Sequence, residues 1–357
     1  MKFSTWDGQL QPQTDGNGEI ISLDDKRFPW VERKVKTLKL AKLYRKAGYV
    51  DYSRKCAACS TWLQYGVSAD GSKTLSAANF CQLRLCPLCI ARKAKKSAYK
   101  VSKVLDKVEA DHPGVKYLFL TLTIRNVPGD KLNAALDEMM QGWDRLLHHQ
   151  KIKRTIKGWF RAVEITRNRK TKTYHPHIHI VLAVPPEYFT DSGFYLAHSE
   201  LVARWKLAVR VDYSPSVNIH VARSKGEYTA ESKSAIEAAK YAVKDEEYID
   251  EDLPEAEAVE IVRDYTTALF KRRLVAFGGW MKEAAKALEA DKLGEEGEDL
   301  VHLDETVRED VAELIETYNW CFGAGDYVLT SRQANPLKLV RKEASECDSG
   351  QRGKRIS

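Results

Sequence analysis

Five of the chain's seven cysteines fall between Cys56 and Cys89, as Cys56-x2-Cys59 followed by Cys81-x4-Cys86-Pro-Leu-Cys89. Thiolates paired across a tight turn can share one tetrahedral zinc, so this spacing predicts a closed, structural Zn²⁺ site. Four ligands suffice. Spacing alone favours Cys56, Cys59, Cys86 and Cys89, with Cys81 an equally reachable substitute. Cys321 and Cys347 are remote and read as ordinary thiols. Directly after the cluster come Arg92, Lys93, Lys95 and Lys96, which are expected to lie against the phosphates of a nucleic acid.

A second cluster is His175-Pro-His177-Ile-His179, three of the nine histidines in the chain. On a strand, alternate residues share a face, so the three imidazoles point together while Pro176, Ile178 and Ile180 face the core. The polar stretch 167–173 reads as the turn of a hairpin; a turn centred near residue 170 places Glu164 opposite His177. Two imidazoles and a carboxylate with open positions make a divalent-cation site, with His175 as a further candidate. The competing reading of Glu164 is a surface carboxylate among bases. A third cluster, Glu237-x3-Tyr241-x2-Lys244, has the spacing of one helix face. Tyrosine is a poor nucleophile at its ordinary pKa near 10. A neighbouring lysine and a metal-polarised phosphate would both assist it. Against this, Ser234-Ala-Ile-Glu237 also reads as a capping box.

The elements that must position these groups are legible in the middle of the chain. Residues 115–124 form a continuous β-rich apolar run, the mark of a strand buried on both faces. From Asp130, Leu132, Leu136, Met139, Met140, Trp143 and Leu147 share one side of a helix. Strands are predicted over 159–165 and 175–184, a helix over 196–209, a strand over 217–222 and a helix over 234–248. The order β-α-β-β-α-β-α fits an α+β fold, a small antiparallel sheet with helices on one face. Helices are also predicted over 31–50, 260–288 and 306–320. Four regions result: a flexible leader (1–30), a basic helix with the zinc-binding module (31–110), the domain carrying the histidines and the tyrosine (111–250), and a mostly helical C-terminal region (251–357).

At 357 residues, 43% hydrophobic and 30% charged, the chain has ordinary globular composition, and disorder is not its default. No stretch approaches the roughly 18–20 apolar residues of a membrane span, and the N-terminus lacks a secretory signal. A soluble cytoplasmic protein is expected, with no membrane partner. The net charge of +7 is unevenly spread: seven bases and no acid between Arg33 and Lys46, further basic clusters over 92–107 and 151–172, and nine acids without a base from Asp245 to Glu260. Three basic clusters favour a polyanionic partner, nucleic acid first.

LTLT (120–123), HPHIHIVL (175–182) and EAAKYAVKD (237–245) resemble, in this order, the three motifs of rolling-circle plasmid replication initiators of the single-tyrosine branch. These belong to the HUH endonuclease superfamily, named for a His-hydrophobic-His pair, here His177-Ile178-His179. NFCQLRLCPLCIARKAKK (79–96), GWFRAVEITRN (158–168) and LFKRRLVAFGG (269–279) are similar to family segments too, so the likeness spans roughly residues 50 to 280. The resemblance implies an HUH-type sheet with a ferredoxin/RRM-like core. It implies that His177 and His179, with Glu164 as third ligand, hold Mg²⁺ or Mn²⁺. Tyr241 would nick one strand of the double-strand origin, leaving a 5′-phosphotyrosine and a free 3′-OH primer. Glu237 would activate water for termination, and Lys244 would position or polarise the tyrosine or phosphate. The family pattern favours Cys59, Cys81, Cys86 and Cys89 as zinc ligands, leaving Cys56 as the spare. Implied partners are plasmid origin DNA, a host helicase and replication machinery, and a second copy in a homodimer.

Three other classes compete. An HUH transposase usually carries two tyrosines four apart, whereas position 237 is Glu; a conjugative relaxase places its tyrosine before the histidines. A histidine-triad nucleotide hydrolase would account for His175, His177 and His179 but not for the cysteines, the Tyr241 motif or the basic clusters. A non-catalytic zinc-containing DNA-binding regulator would have no use for Tyr241.

Overall fold

The computed structural model describes residues 11–221, 243–290, 298–303 and 312–336. The chain divides into two compact units: one from the described parts of Met1–Lys42, Val50–Leu88 and Asp299–Ser357, the other from Leu43–Tyr49 and Cys89–Glu298.

The larger unit is built on a five-stranded sheet. Its strands are β3 (Lys116–Thr123), β4 (Gly158–Asn168), β5 (Thr173–Val184), β6 (Val217–Val221) and β7 (Val275–Gly279), in the spatial order β6-β3-β5-β4-β7. Every pairing is antiparallel. The strands expected from the apolar runs are therefore present, and β4 and β5 extend further towards their shared turn than the sequence indicated.

The expected single layer of helices is corrected: helices cover both faces. On one face, Phe119, Phe160, Val181 and Phe277 pack with Val101, Val104, Leu105 and Val108 of α3 (Pro87–Asp111) and with Met281, Ala284 and Ala285 of α8 (Trp280–Ala287). On the other lie α4 (Gly129–His148), α6 (His198–Ala208) and α7 (Glu255–Leu269). α4 buries Leu132, Leu136, Met139 and Trp143, α6 is pinned by Trp205 Nε1 donating to the Thr123 carbonyl at 2.8 Å, and α7 sets Tyr265 edge-on against Tyr174 of β5. The cause is in the strands themselves. Ile178, Ile180 and Leu182 on one side and Val181 and Ala183 on the other are all fully buried, and each of the four larger side chains contributes about 1.5–3 kcal/mol when removed from water. A strand apolar on both faces needs two covers. β7 ends at Gly279, where φ is +53° and a Cβ would stand 2.0 Å from the Lys157 carbonyl; only glycine lets β7 turn straight into α8.

The smaller unit holds a four-stranded antiparallel sheet of β1 (Trp62–Val67), β2 (Lys73–Ala78), β8 (Leu314–Cys321) and β9 (Asp326–Ala334), ordered β2-β1-β8-β9. Helices α1 (Trp30–Lys46) and α2 (Val50–Ala58) precede it in the chain. Two expectations are corrected here. Of the helix predicted over 306–320, residues up to 311 lie outside the described residues, and from Leu314 the chain is strand. Glu316, Tyr318 and Trp320 are its inward positions, and the buried Glu316 is held by Lys73, Tyr318 and Arg332. Nor does the described part of the leader lie loose. The Gln13 and Leu23 amides donate to the Leu329 and Tyr327 carbonyls at 2.7 and 2.9 Å, lining the outer edge of β9, and Asp25 accepts from Trp30 Nε1 and Tyr65. With β7, β8 and β9 in it, the described C-terminal region is not mostly helical. Likewise, residues 260–288 contain two helices separated by β7.

Candidate metal centres

β4 and β5 form the expected hairpin, and its register pairs Glu164 with His177 and Ala162 with His179. Glu164, His177 and His179 therefore share the sheet face that Phe160, Val181 and Phe119 floor further down the strands. Glu164 Oε2 lies 3.0 Å from His177 Nε2 and 2.7 Å from His179 Nε2. The outer ring nitrogens are spoken for: His179 Nδ1 meets the Thr121 hydroxyl at 3.2 Å, and His177 Nδ1 the His175 carbonyl at 3.2 Å. A tautomer that donates each Nδ1–H there would, once an ion displaced the Nε2–Glu164 hydrogen bonds, turn both Nε2 lone pairs to the point the carboxylate faces. Three acceptors aimed at one point are what a divalent cation requires. Burial alone would raise the Glu164 carboxyl, but the hydrogen bonds and charge of His177 and His179 hold it well below the usual carboxylate range. His177 is only 9% exposed, so its orientation is fixed by packing as well as by bonding. His175 stands beside this group, its ring 5.5 Å from that of His177, and burial and the His177 charge lower its pKa. It is not among the three residues whose ligand atoms lie within 4.8 Å of one another.

Of the third cluster, Glu237 and Tyr241 lie outside the described residues, as does the expected helix before residue 243. Beyond it the chain forms a 3₁₀ turn, Asp245–Glu247, rather than continuing as helix to 248. Lys244 is described, with Nζ 3.9 Å from Glu164 Oε1. The acidic run that follows is not merely solvated. Arg167 pairs with Glu257 at 2.8 Å, Lys172 with Glu257 at 2.9 Å and Arg169 with Asp250 at 2.6 Å. These contacts strap the segment after Lys244 to the tip of the hairpin that carries Glu164 and His177.

The second centre gathers the sulfurs of Cys59, Cys81, Cys86 and Cys89 within 4.8 Å of one another. Cys59 follows α2, Cys81 follows β2, and Cys86 and Cys89 flank the start of α3, a donor set that fits a tetrahedral S₄ ion. Cys56, inside α2, borders this group without belonging to it, and its thiol also donates to the Thr37 carbonyl at 3.4 Å. Hydrogen bonding with Cys81 and Cys86, together with burial, raises its pKa well above that of an ordinary thiol. The choice made by spacing alone therefore differs from the geometry at one position, Cys56 against Cys81. Lys34 was missed: read as one of a surface run of bases, it is fully buried, donating to the Ala57 carbonyl at 3.1 Å and to that of Cys59. Burial lowers its pKa while the surrounding thiols push it back up. Thr121 was also missed as a functional residue, though strand parity opposite His179 marks it. Of the four bases expected on phosphates, Arg92 and Lys96 are buried, at 6% and 8% exposure; Lys95 is exposed and Lys93 partly so. Among the described residues no helix is long and apolar enough to cross a membrane.

A family model described as "Replication protein" (Rep_1) matches residues 72–328. A protein named "Protein rep" from Streptococcus pneumoniae is 36% identical over 276 residues, 76% of this chain and 83% of its own length. A "Replication protein" from Staphylococcus aureus is 37% identical over 229 residues, 63% of this chain and 96% of its own. A "Protein rep" from Lactiplantibacillus plantarum is 29% identical over 309 residues, 84% and 95% of the two chains. No solved structure matches significantly.

Proposed function

The chain belongs to the family of plasmid replication-initiator (Rep) proteins, and from that premise we propose that it initiates rolling-circle replication as an HUH nickase, cutting one strand of the plasmid's double-strand origin. Tyr241 is the nucleophile. Its phenolic oxygen forms a bond to the scissile phosphorus as the P–O3′ bond breaks. The phenolic proton is lost, the departing oxygen gains one, and the products are a 5′-phosphotyrosine and a 3′-OH primer. The ester conserves the phosphodiester bond for later rejoining. His177, His179 and Glu164 hold Mg²⁺ or Mn²⁺, which when bound neutralises charge on the phosphate oxygens. Thr121 and the His175 backbone carbonyl fix the tautomers that keep both Nε2 atoms available. Lys244 adds a positive charge beside the phosphate. Glu237 acts as the base that activates water at termination, in place of a second tyrosine. The four thiols of Cys59, Cys81, Cys86 and Cys89 hold a structural Zn²⁺, and Lys93 and Lys95 track the backbone. Cytoplasmic action with a host helicase, and assembly as a homodimer, complete the reading.

The observation that carries it is the position of Lys244 beside Glu164. Only two residues, Ala242 and Val243, separate Lys244 from Tyr241, so their Cα atoms stand at most about 11 Å apart. The test is covalent capture: wild-type protein with Mn²⁺ and tiled single-stranded origin oligonucleotides should yield a peptide–DNA adduct at Tyr241 by mass spectrometry. Tyr241→Phe should yield none while binding the origin within a few fold. An undiminished adduct in Tyr241→Phe would remove the nucleophile from this position.

A further inference from the structure

Along β3 and β5 the pairing is regular from Lys116↔Val184 to Thr123↔His177, and then it slips. The next bridge joins Val127 to Tyr174, so three residues (124–126) face two (175 and 176). This one-residue bulge lies against His175, on the rim of the cation site, and a bulge there re-aims a side chain. The re-aimed residue is Arg125. Its guanidinium carbon lies 4.1 Å from the centroid of the Tyr213 ring, and its amide donates to the Tyr213 hydroxyl at 2.7 Å. The loop carrying Tyr213 is tied to the same rim, since the Thr123 amide and hydroxyl both donate to the Ser216 carbonyl, at 3.2 and 3.1 Å. Arg125 is exposed and Tyr213 half-buried.

Charge separates Arg125 from the three bases that strap the hairpin tip. Arg167, Arg169 and Lys172 are each matched to a carboxylate, whereas Arg125 has no acidic partner among the described residues. A planar cation laid on an aromatic ring, exposed and unmatched, offers a flat face on which any base can stack and a charge that favours the adjoining phosphate. We propose that the Arg125–Tyr213 pair is a stacking platform that grips an unpaired base next to the phosphate held at the cation site. This rests on the nicking reading for its purpose but not for its test.

The test is fluorescence anisotropy with Mn²⁺, using full-length protein carrying Tyr241→Phe so that no cleavage intervenes. The probes are fluorescein-labelled oligo(dT) and an abasic deoxyribose-phosphate chain of equal length. The protein should bind oligo(dT) roughly tenfold more tightly than the abasic chain, the size of one stacked base. Adding Tyr213→Ala should erase that preference and leave abasic binding unchanged, which also shows that the variant is folded. Tyr213→Trp should retain the preference, and Arg125→Lys, which keeps charge but not the planar face, should lose several-fold on oligo(dT) alone. Undiminished preference in Tyr213→Ala, equal losses in Tyr213→Trp and Tyr213→Ala, or an Arg125→Lys deficit that is the same for both probes would each overturn the platform. Absence of a Tyr241 adduct in the covalent assay would instead refute the nicking reading and leave this result standing.

Discussion

Glu164, His177 and His179 stand on neighbouring strands whose backbone register already brings their donor atoms together, and Thr121 and the His175 carbonyl complete their orientation. The four thiols of the cysteine cluster come from the end of α2, the segment after β2 and the start of α3. The first two of these are joined by the Ser60 amide donating to the Asn79 carbonyl at 2.6 Å and by the Asn79 side-chain amide donating to the Ala58 carbonyl at 2.7 Å. The first cluster is organised by the fold itself. In the second, an ion bound by the four thiols would tie those segments together, with the buried Lys34 ammonium as the positive charge set beside the sulfurs. One group thus sits on neighbouring strands of a single sheet, and the other gathers three separate segments of the chain.

The strongest challenge to that contrast is removal of metal. Structural zinc sites in small modules contribute on the order of 10–16 kcal/mol. A thiol-competing chelator should therefore abolish amide-exchange protection in β1, β2, β8 and β9, while β3, β4 and β5 keep theirs; protection that persists throughout would make the cysteines incidental. The converse change, His177→Ala with His179→Ala, should remove Mn²⁺ binding and adduct formation, by more than the roughly 10–100-fold that follows loss of one supporting hydrogen bond. Its melting temperature should stay near wild type, and collapse of the fold would mean that the triad is structural too. Thr121→Val should weaken Mn²⁺ binding by about 10–100-fold with zinc content unchanged, as read by calorimetry and metal analysis. The smallest effect concerns what the small sheet owes to its own side chains. Burial pushes Glu316 up, but hydrogen bonds from Lys73, Tyr318 and Arg332 prevail and hold it below the ordinary 4.5. A carboxyl lowered on folding contributes its full stability above its unfolded value and loses it as pH falls through the folded one. Acidification below about 4.5 should thus weaken this sheet in wild type and less so in Glu316→Gln, in denaturant midpoints measured across that range.

The hairpin was the most legible part of the molecule. Period-two alternation and a turn centred near residue 170 fix which residues face each other, so Glu164 opposite His177 follows from arithmetic on the chain. The second helical layer was hidden because Val101, Val104, Leu105 and Val108 are dispersed among the lysines of α3, which read as a surface for phosphates; two of its bases, Arg92 and Lys96, are buried instead. β8 was misread because its inward positions include Glu316: a carboxylate satisfied by three donors breaks the hydrophobic alternation that would announce a strand. The fourth sulfur ligand was ambiguous for a different reason. Spacing cannot tell that α2 continues through Cys56 and that Cys81, not Cys56, joins Cys59, Cys86 and Cys89 within 4.8 Å of one another.

The contacts of Gln13 and Leu23 along β9 carry one more consequence. A shortened chain beginning after residue 28 would leave a bare strand margin of unsatisfied amides and carbonyls, open to any extended peptide, including another copy of itself. Trimming the N-terminus to obtain a tidier protein would therefore yield one that self-associates and precipitates.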